Sequence, residues 1–168
     1  MNAHPASIHR YSFRVYYEDT DAGGIVYHAN YLRFAERART EALRAAGIPH
    51  AALVERFNLM FVVRRAEIDY IRPARLDEML TVETETLDVA AASVLLRQTV
   101  MGPDGASPGV ASSGGASPRA PLGACVEARI KLACVRIGDN RPARLPPEWR
   151  EALAAMSHDV AGATGTGG

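Results

Sequence analysis

One segment of this chain has the periodicity of a long helix, and it limits the possible folds more than any other feature. Across residues 30–47 apolar side chains recur at steps of three and four, which predicts a single buried stripe. The stripe consists mostly of small side chains: Tyr31, Phe34, Ala35, Ala38, Ala42 and Ala45. Gly47 and Pro49 follow and indicate where the helix ends. Because small side chains let a helix approach its neighbour, we expect this helix to lie close against a sheet.

Strand-like alternation surrounds this helix on both sides. Before it, one side of a predicted strand carries Tyr11, Phe13, Val15 and Tyr17. After it, we expect a short helix at residues 50–58, four strands within residues 60–72, 78–90, 93–101 and 125–137, and a final short helix at residues 146–156. The alternating positions of three of these strands are Ala66, Ile68 and Tyr70; Leu80, Val82, Thr84 and Thr86; and Val126, Ala128, Ile130 and Leu132.

The order of these elements predicts the fold class. Consecutive strands with mostly short links favour an antiparallel sheet. One long helix and one five-stranded sheet therefore predict an α+β fold in which the sheet wraps around the helix. The outer face of such a sheet would need cover, so we also expect an oligomer.

The length of 168 residues fits one domain, which we place at residues 10–157 after a lead-in at residues 1–9. Residues 102–123 are mostly Gly, Ser, Pro and Ala, and they predict a long flexible loop inserted between the last two strands. Residues 158–168 predict a disordered tail.

Charge and cysteine content restrict the partners and the compartment. Lys and Arg together number 19, as do Asp and Glu, so no overall positive field would attract nucleic acid. The first residues contain no apolar run that would indicate a secretory signal, and no stretch approaches the length of a membrane span. Cys125 and Cys134 fall on opposite faces of one predicted strand and cannot bridge each other. These features predict a cytoplasmic protein.

The segment "YYEDTDAGGIVYHANY", residues 16–31, concentrates the chemically active side chains. Asp19, Asp21 and His28 offer oxygen and nitrogen ligands, but there is no second histidine at helical spacing and no cysteine pair nearby, so we predict no metal site. The two glycines lack the Lys-Ser/Thr of a phosphate-binding loop. A solvated turn remains the plain alternative.

A catalytic interpretation rests on the order of these residues. Asp21 lies just upstream of a helix start, whose backbone N–H groups can hold an oxyanion. A carboxylate in that position can attack a polarised carbonyl or direct water at it. Such a site has no strong acid, so it suits a leaving group that departs unprotonated. A thiol, with a pKa near ~8.5, does so; a thioester is therefore the natural substrate class.

The run "RVYYEDTDAGGIVYHANY" resembles the active-site segment of the 4-hydroxybenzoyl-CoA thioesterase family, and more closely that of its Tol-Pal-associated acyl-CoA thioesterase branch. The shared residues are Arg14-Val15, Thr20-Asp21, Gly24-Ile25-Val26, His28 and Tyr31. The resemblance extends over roughly residues 10–150, apart from a longer loop at residues 102–123. It implies the hotdog fold, an antiparallel sheet wrapped around one long helix, and homodimers or homotetramers with active sites between subunits.

The resemblance also implies roles for individual residues. Asp21 is the expected catalytic carboxylate, as nucleophile or as general base, and an amide near His28 would polarise the thioester carbonyl. The His28 side chain would order the site or assist proton movement, with a structural helix-start histidine as the alternative. Gly24, Tyr27 and Asn30 are the expected pocket residues.

Basic residues are expected around the phosphates of coenzyme A. Arg64 and Arg65 are the predicted substrate-binding arginines, with Arg72 and Arg75 as further candidates. Conversely, we interpret Glu18 and Asp19 as structural or surface acids, and Tyr31 and Phe34 as core residues.

The expected reaction is hydrolysis of an acyl-CoA to the free acid and coenzyme A, which is part of the substrate, so no separate cofactor is predicted. Two alternatives remain: an acyl carrier protein in place of coenzyme A, or a chiefly non-enzymatic partner of the Tol-Pal envelope system. A hotdog dehydratase is disfavoured because the chain contains no His-Pro-Gly-type motif.

Overall fold

A computed structural model describes residues 8–103 and 121–157 of the chain. The strands are β1 (His9–Arg14), β2 (Leu59–Tyr70), β3 (Met79–Val89), β4 (Ser93–Met101) and β5 (Ala124–Arg136). The helices are α1 (Asn30–Ala45), α2 (His50–Phe57) and α3 (Pro147–Ala154). The predicted tail, most of the predicted lead-in and most of the predicted loop at 102–123 lie outside the described residues.

The five strands form one sheet in the order β1-β3-β4-β5-β2, and every neighbouring pair is antiparallel. Helix α1 packs against β1, β3 and β4. This arrangement confirms the predicted α+β class, a five-stranded antiparallel sheet around one long helix. The first two strands in sequence, β1 and β2, form the two edges of the sheet.

The apolar stripe of α1 is the centre of the core, as predicted, except at its end. Phe34, Ala38 and Ala42 are buried, but Ala45 is exposed. Leu43 takes its place in the core and joins a cluster that includes Trp149 of α3. The stripe shifts because α2 packs against α1, so the buried face near the end of α1 differs from the one that meets the sheet.

Two of the predicted strands differ from the structure, one in where it ends and the other in which side chains are buried. Strand β1 stops at Arg14, and Tyr17 begins a 3-10 turn, Tyr17–Asp19, in which the tyrosine ring is exposed to solvent. In β2, Ala66 and Tyr70 are exposed and Ile68 alone of the predicted three packs against the core. The reason is that β2 is an edge strand with much of its length uncovered.

The outer face of the sheet is polar, which removes the argument that it needs cover. Arg10 Nε donates to Glu83 Oε1 at 2.8 Å, and Arg97 donates two hydrogen bonds to Glu85 Oε2. Charged residues continue across the face into β5, for example at Glu127. The expectation of an oligomer therefore needs a different physical basis.

Cys125 and Cys134 are both buried, lie in separate core clusters and form no disulfide with each other, as predicted. Within the described ranges, no helix is both long and apolar enough to cross a membrane.

Candidate active site

The segment that carries Asp21 folds back on itself just before α1. Asp21 N–H donates to Ile25 O at 2.9 Å, and Gly24 N–H donates to Asp21 O at 3.0 Å. One step further out, Tyr27 N–H donates to Asp19 O at 2.9 Å. Gly24 has φ +73°, a left-handed conformation that favours glycine, so it allows this turn to close.

One oxygen of the Asp21 carboxylate is held and the other is available. Oδ1 accepts the Gly23 N–H at 2.8 Å, whereas Oδ2 has no partner among the residues the structure describes. A Cβ on Gly23 would lie 3.1 Å from Oδ1, so the absent side chain leaves room for this contact. Asp21 is exposed to solvent and can therefore meet a ligand.

Helix α1 begins without a side-chain cap. Its N-cap residue is Ala29, which has no polar side chain, and the Asn30 N–H donates to Tyr27 O at 2.9 Å. The N–H groups of His28 and Ala29 donate to no described atom. Two consecutive free N–H groups at a helix start form a natural site for a negative oxygen.

The His28 ring lies beside this helix start on a small aromatic surface. It packs on Tyr27 with ring centroids 4.4 Å apart and meets Tyr70 edge-on at 6.4 Å. The ring nitrogens make no hydrogen bond within the described ranges, and the residue is exposed. The imidazole is therefore free for a ligand, and no contact seen here requires it for the turn.

The remaining residues of the motif are mainly structural. Asn30, a predicted pocket residue, is only 8% exposed, and its Nδ2 donates to Asp19 O at 2.9 Å. Asp19 Oδ2 accepts the Tyr16 N–H at 2.9 Å, which agrees with its interpretation as a structural acid. Glu18 has no partner in the described part of the chain.

Tyr31 and Phe34 are buried, as predicted, and Tyr31 also ties the helix to the turn. Its hydroxyl accepts the Ala74 N–H at 3.0 Å, and Ala74 O accepts the Val26 N–H at 2.9 Å. Burial raises the pKa of Tyr31 to about 12.

Within one chain, the predicted substrate-binding residues Arg64 and Arg65 do not lie near the Asp21 turn. Arg64 and Arg65 precede Tyr70 by six and five residues in β2, so they lie about 17–20 Å along the strand from it. Arg65 also forms an ion pair with Glu67.

The other two candidate arginines differ from each other. Arg72 lies against the strand ends: its Nη2 is 3.4 Å from Gly123 O, and a Cβ on Gly102 would lie 2.0 Å from the same nitrogen. Arg75 pairs through its backbone with Ile25, which places it next to the turn, and its side chain is exposed. Arg75 is therefore better placed than Arg72 to meet a phosphate.

Sequence reasoning missed Tyr70 as a member of the site. Its hydroxyl donates to His28 O at 3.0 Å, although 42 residues separate the two. Alternation assigned Tyr70 only to one face of a strand, and no local pattern indicates a contact over that distance.

The described residues contain no group of three or more His, Cys, Asp or Glu side chains that could hold a metal ion.

Comparison with known proteins identifies the family. The model of the thioesterase superfamily matches residues 23–108. The acyl-CoA thioesterase YbgC of Haemophilus influenzae is 43% identical over 140 residues, which cover 83% of this chain and 90% of that protein. The acyl-CoA thioester hydrolase YbgC of Escherichia coli O157:H7 is 46% identical over 95 residues, or 56% of this chain and 70% of that protein.

Among solved structures, a probable thioesterase from Bartonella henselae is 32% identical, with a TM-score of 0.69, and the match covers 83% of this chain and all of that one. This likeness confirms the predicted hotdog fold. The chain therefore belongs to the thioesterase superfamily, and its relatives there include the YbgC proteins.

Proposed function

We propose that this protein hydrolyses acyl-CoA thioesters to a free acid and coenzyme A, with Asp21 as the catalytic carboxylate. The names of the YbgC relatives support the substrate class. The observation that carries the mechanism is that one folded-back turn connects Asp21, whose Oδ2 has no partner among the described residues, to the helix start where the N–H groups of His28 and Ala29 are also without a described partner.

In the proposed reaction the thioester carbonyl oxygen receives the helix-start N–H groups. Asp21 takes a proton from water while the water oxygen bonds to the carbonyl carbon, and the negative charge moves to the carbonyl oxygen. The N–H groups and the helix dipole stabilise that charge. The tetrahedral intermediate then collapses, the C–S bond breaks, and coenzyme A leaves as a thiolate that accepts the proton.

Asp21 has a second possible role as a nucleophile. It would then form a mixed anhydride with the acyl group, expel the thiolate, and be released by water. A single turnover in ¹⁸O-labelled water distinguishes the two roles when combined with hydroxylamine trapping. Label in the Asp21 carboxylate or a trapped Asp21 hydroxamate indicates the anhydride, whereas label in the product acid alone and no trapped adduct favour the general base.

The central experiment measures thiol release from a panel of aliphatic and aromatic acyl-CoAs. We expect Asp21→Asn to lower kcat/KM by roughly two decades or more, a loss that belongs to a group acting in the transition state. Glu18→Gln is the matched control, because this exposed acid has no partner among the described residues. Turnover unaffected by Asp21→Asn would remove Asp21 from its role, and no turnover on any thioester would favour a binding function.

We propose that His28 assists proton movement to the departing thiolate. Its free ring nitrogens and its exposure support this role. His28→Phe keeps a ring against Tyr27 and removes the titrating group. A changed pH profile of kcat with an unchanged melting temperature supports the role; a lower melting temperature with full kcat favours a structural histidine.

The open edge of β2 supports assembly into a homodimer or homotetramer. This strand of 12 residues pairs with β5 on one side, and no described strand pairs with its other side. Its free N–H and C=O groups and the exposed Val63 form a surface that a second β2 can join. In such a pair Arg64 and Arg65 would face the partner, which keeps them as candidates for phosphate binding.

The carrier of the acyl group is tested by the same panel. Acyl-CoA and acyl carrier protein bearing the same acyl chain are compared at equal concentration, and a higher kcat/KM identifies the carrier.

A role beside the Tol-Pal system and a cytoplasmic location remain predictions, which fractionation and co-purification of the tagged protein would check.

A further inference from the structure

Two peptide units present the free N–H groups of His28 and Ala29. The carbonyl oxygen of each unit accepts a hydrogen bond. In the unit between Tyr27 and His28, the carbonyl oxygen accepts the Asn30 N–H at 2.9 Å. In the unit between His28 and Ala29, the carbonyl oxygen accepts the Tyr70 hydroxyl at 3.0 Å. Because a peptide unit is planar, a hydrogen bond to its oxygen also fixes the direction of its N–H.

The bond from Tyr70 differs in origin from the bond made by Asn30. Asn30 belongs to the first turn of α1, so its contact forms whenever the helix forms. Tyr70 is the last residue of β2, an edge strand on the other side of the sheet from β1. Its ring meets those of Tyr31 and His28 edge-on, with centroids 5.9 Å and 6.4 Å away.

The hydrogen bond from the Tyr70 hydroxyl to His28 O contributes little to the stability of the fold. The Tyr70 side chain is 52% exposed, so water competes for its hydroxyl and the net gain from the hydrogen bond is small. Its effect on the peptide unit is more specific. A carbonyl that accepts a hydrogen bond becomes more polarised, and the N–H of the same unit becomes a stronger donor.

We propose that Tyr70 is a positioning residue for thioester hydrolysis, holding the His28–Ala29 peptide unit so that its N–H meets the developing oxyanion. This inference rests on the proposed function, since it assumes carbonyl chemistry at the start of α1. Tyr70 acts through the peptide unit and touches no reacting atom.

The test compares Tyr70→Phe with wild type and with Tyr11→Phe. Both variants lose one hydroxyl and keep the ring, and the Tyr11 hydroxyl on β1 makes no hydrogen bond to a described residue. We expect kcat to fall about tenfold in Tyr70→Phe, less than the loss of an oxyanion-hole donor itself. Tyr11→Phe should keep the wild-type kcat.

Two further readouts separate positioning from general damage. A thioether analogue of the substrate has no carbonyl oxygen, so Tyr70→Phe should bind it with unchanged Kd. In isotope-labelled protein, the ¹³C carbonyl shift of His28 and the amide proton shift of Ala29 should change in Tyr70→Phe and stay constant in Tyr11→Phe.

Equal kcat in Tyr70→Phe and wild type, with Asp21→Asn inactive, would overturn the inference and leave the proposed function intact. Loss of analogue binding in proportion to kcat, or unchanged His28 and Ala29 shifts, would also overturn it. A wild-type protein that hydrolyses no thioester would overturn the proposed function, and the inference with it.

Discussion

Gly24 shows at the scale of one residue how the backbone shapes the site. It holds φ +73° at the closing position of the Asp21 turn, and a Cβ there would meet nothing within 4 Å. Substitution therefore introduces backbone strain and no collision. Gly47, after the end of α1, has nearly the same φ of +76° and the same open surroundings.

We predict that Gly24→Ala and Gly47→Ala each lower the free energy of unfolding by about 1–2 kcal/mol, the cost of a left-handed alanine. Gly24→Ala alone should also lower kcat/KM, because the strained turn carries Asp21. Thermal unfolding and steady-state kinetics measure the two effects. Equal activity in both variants would show that the turn tolerates the change.

At this scale a sequence can predict the contacts that are local. Asp21, Gly24 and His28 lie within eight positions, so a turn followed by a helix start brings them together without any knowledge of the rest of the fold. Tyr70 and Arg72 depend on contacts to residues 42 and 51 positions away, which only the folded sheet brings near.

At the scale of elements, α1 is joined to the sheet by a buried polar contact as well as by its apolar stripe. Arg39 donates to Gln98 Oε1 at 2.8 Å, while Gln98 Nε2 donates to Ala35 O and Thr84 Oγ1, both at 2.9 Å. Arg39 is only 8% exposed, and this burial lowers the pKa of its guanidinium.

Gln98→Leu should lower the free energy of unfolding by about 2–3 kcal/mol, because it leaves a buried guanidinium without its hydrogen-bond acceptor. The double variant Arg39→Met/Gln98→Leu removes the charge as well and should recover much of the loss. Chemical denaturation of the three proteins measures this. A double variant no more stable than Gln98→Leu would mean that the contact contributes through packing.

The first residue of α2 makes stability depend on pH. Burial lowers the pKa of His50 below its ordinary value of 6.5, and the nearby Arg39 and Arg44 act in the same direction against the opposing Glu36. The unfolded chain therefore binds a proton at His50 more readily than the folded one. By linkage, stability decreases as the pH falls below about 6.5.

His50→Gln should flatten this decrease below about pH 6.5, as measured by denaturation midpoints at a series of lower pH values. His28→Gln is the comparison, since this exposed histidine makes no hydrogen bond in the part of the chain that the structure describes. An unchanged pH slope in His50→Gln would assign the acid sensitivity to another group.

The elements themselves were largely predictable, because their periodicity is strong and their ends carry glycine and proline. The position of a strand in the sheet was not. Ala66 and Tyr70 alternate as inward residues would, yet they are exposed because β2 is at an edge, and no pattern within a strand reveals its neighbours.

At the scale of the whole molecule, two features bear on assembly. The polar outer face gives no reason for a second layer on the sheet, whereas the open β2 edge can pair with another copy. A sheet covered by charged cross-strand pairs needs no second layer, so we expect copies to join edge to edge. Val63 lies in the middle of this edge and is 54% exposed.

Val63→Lys should shift the wild-type dimer or tetramer towards smaller species, because a charged side chain on an edge strand opposes pairing. Val54→Lys is the matched control: this valine is also exposed but lies on α2. Light scattering coupled to size exclusion measures the mass of each protein. A monomeric wild type, or equal masses for all three proteins, would refute assembly through β2.

The placement of β1 and β2 at the two edges has a consequence for the order of folding. As the chain leaves the ribosome, β1 has no neighbour until β3 is made, and β2 has none until β5, the last strand, appears. The Asp21 turn is likewise unsupported until Ala74 and Arg75 emerge to meet Val26 and Ile25. Pairing during synthesis can therefore proceed only from the β1 edge towards the β2 edge, as β3 joins β1, β4 joins β3, and β5 joins β4 and β2. The pairings of β1 and β2 are distant in sequence, which favours slow folding and leaves β2 unpaired until the last strand is made.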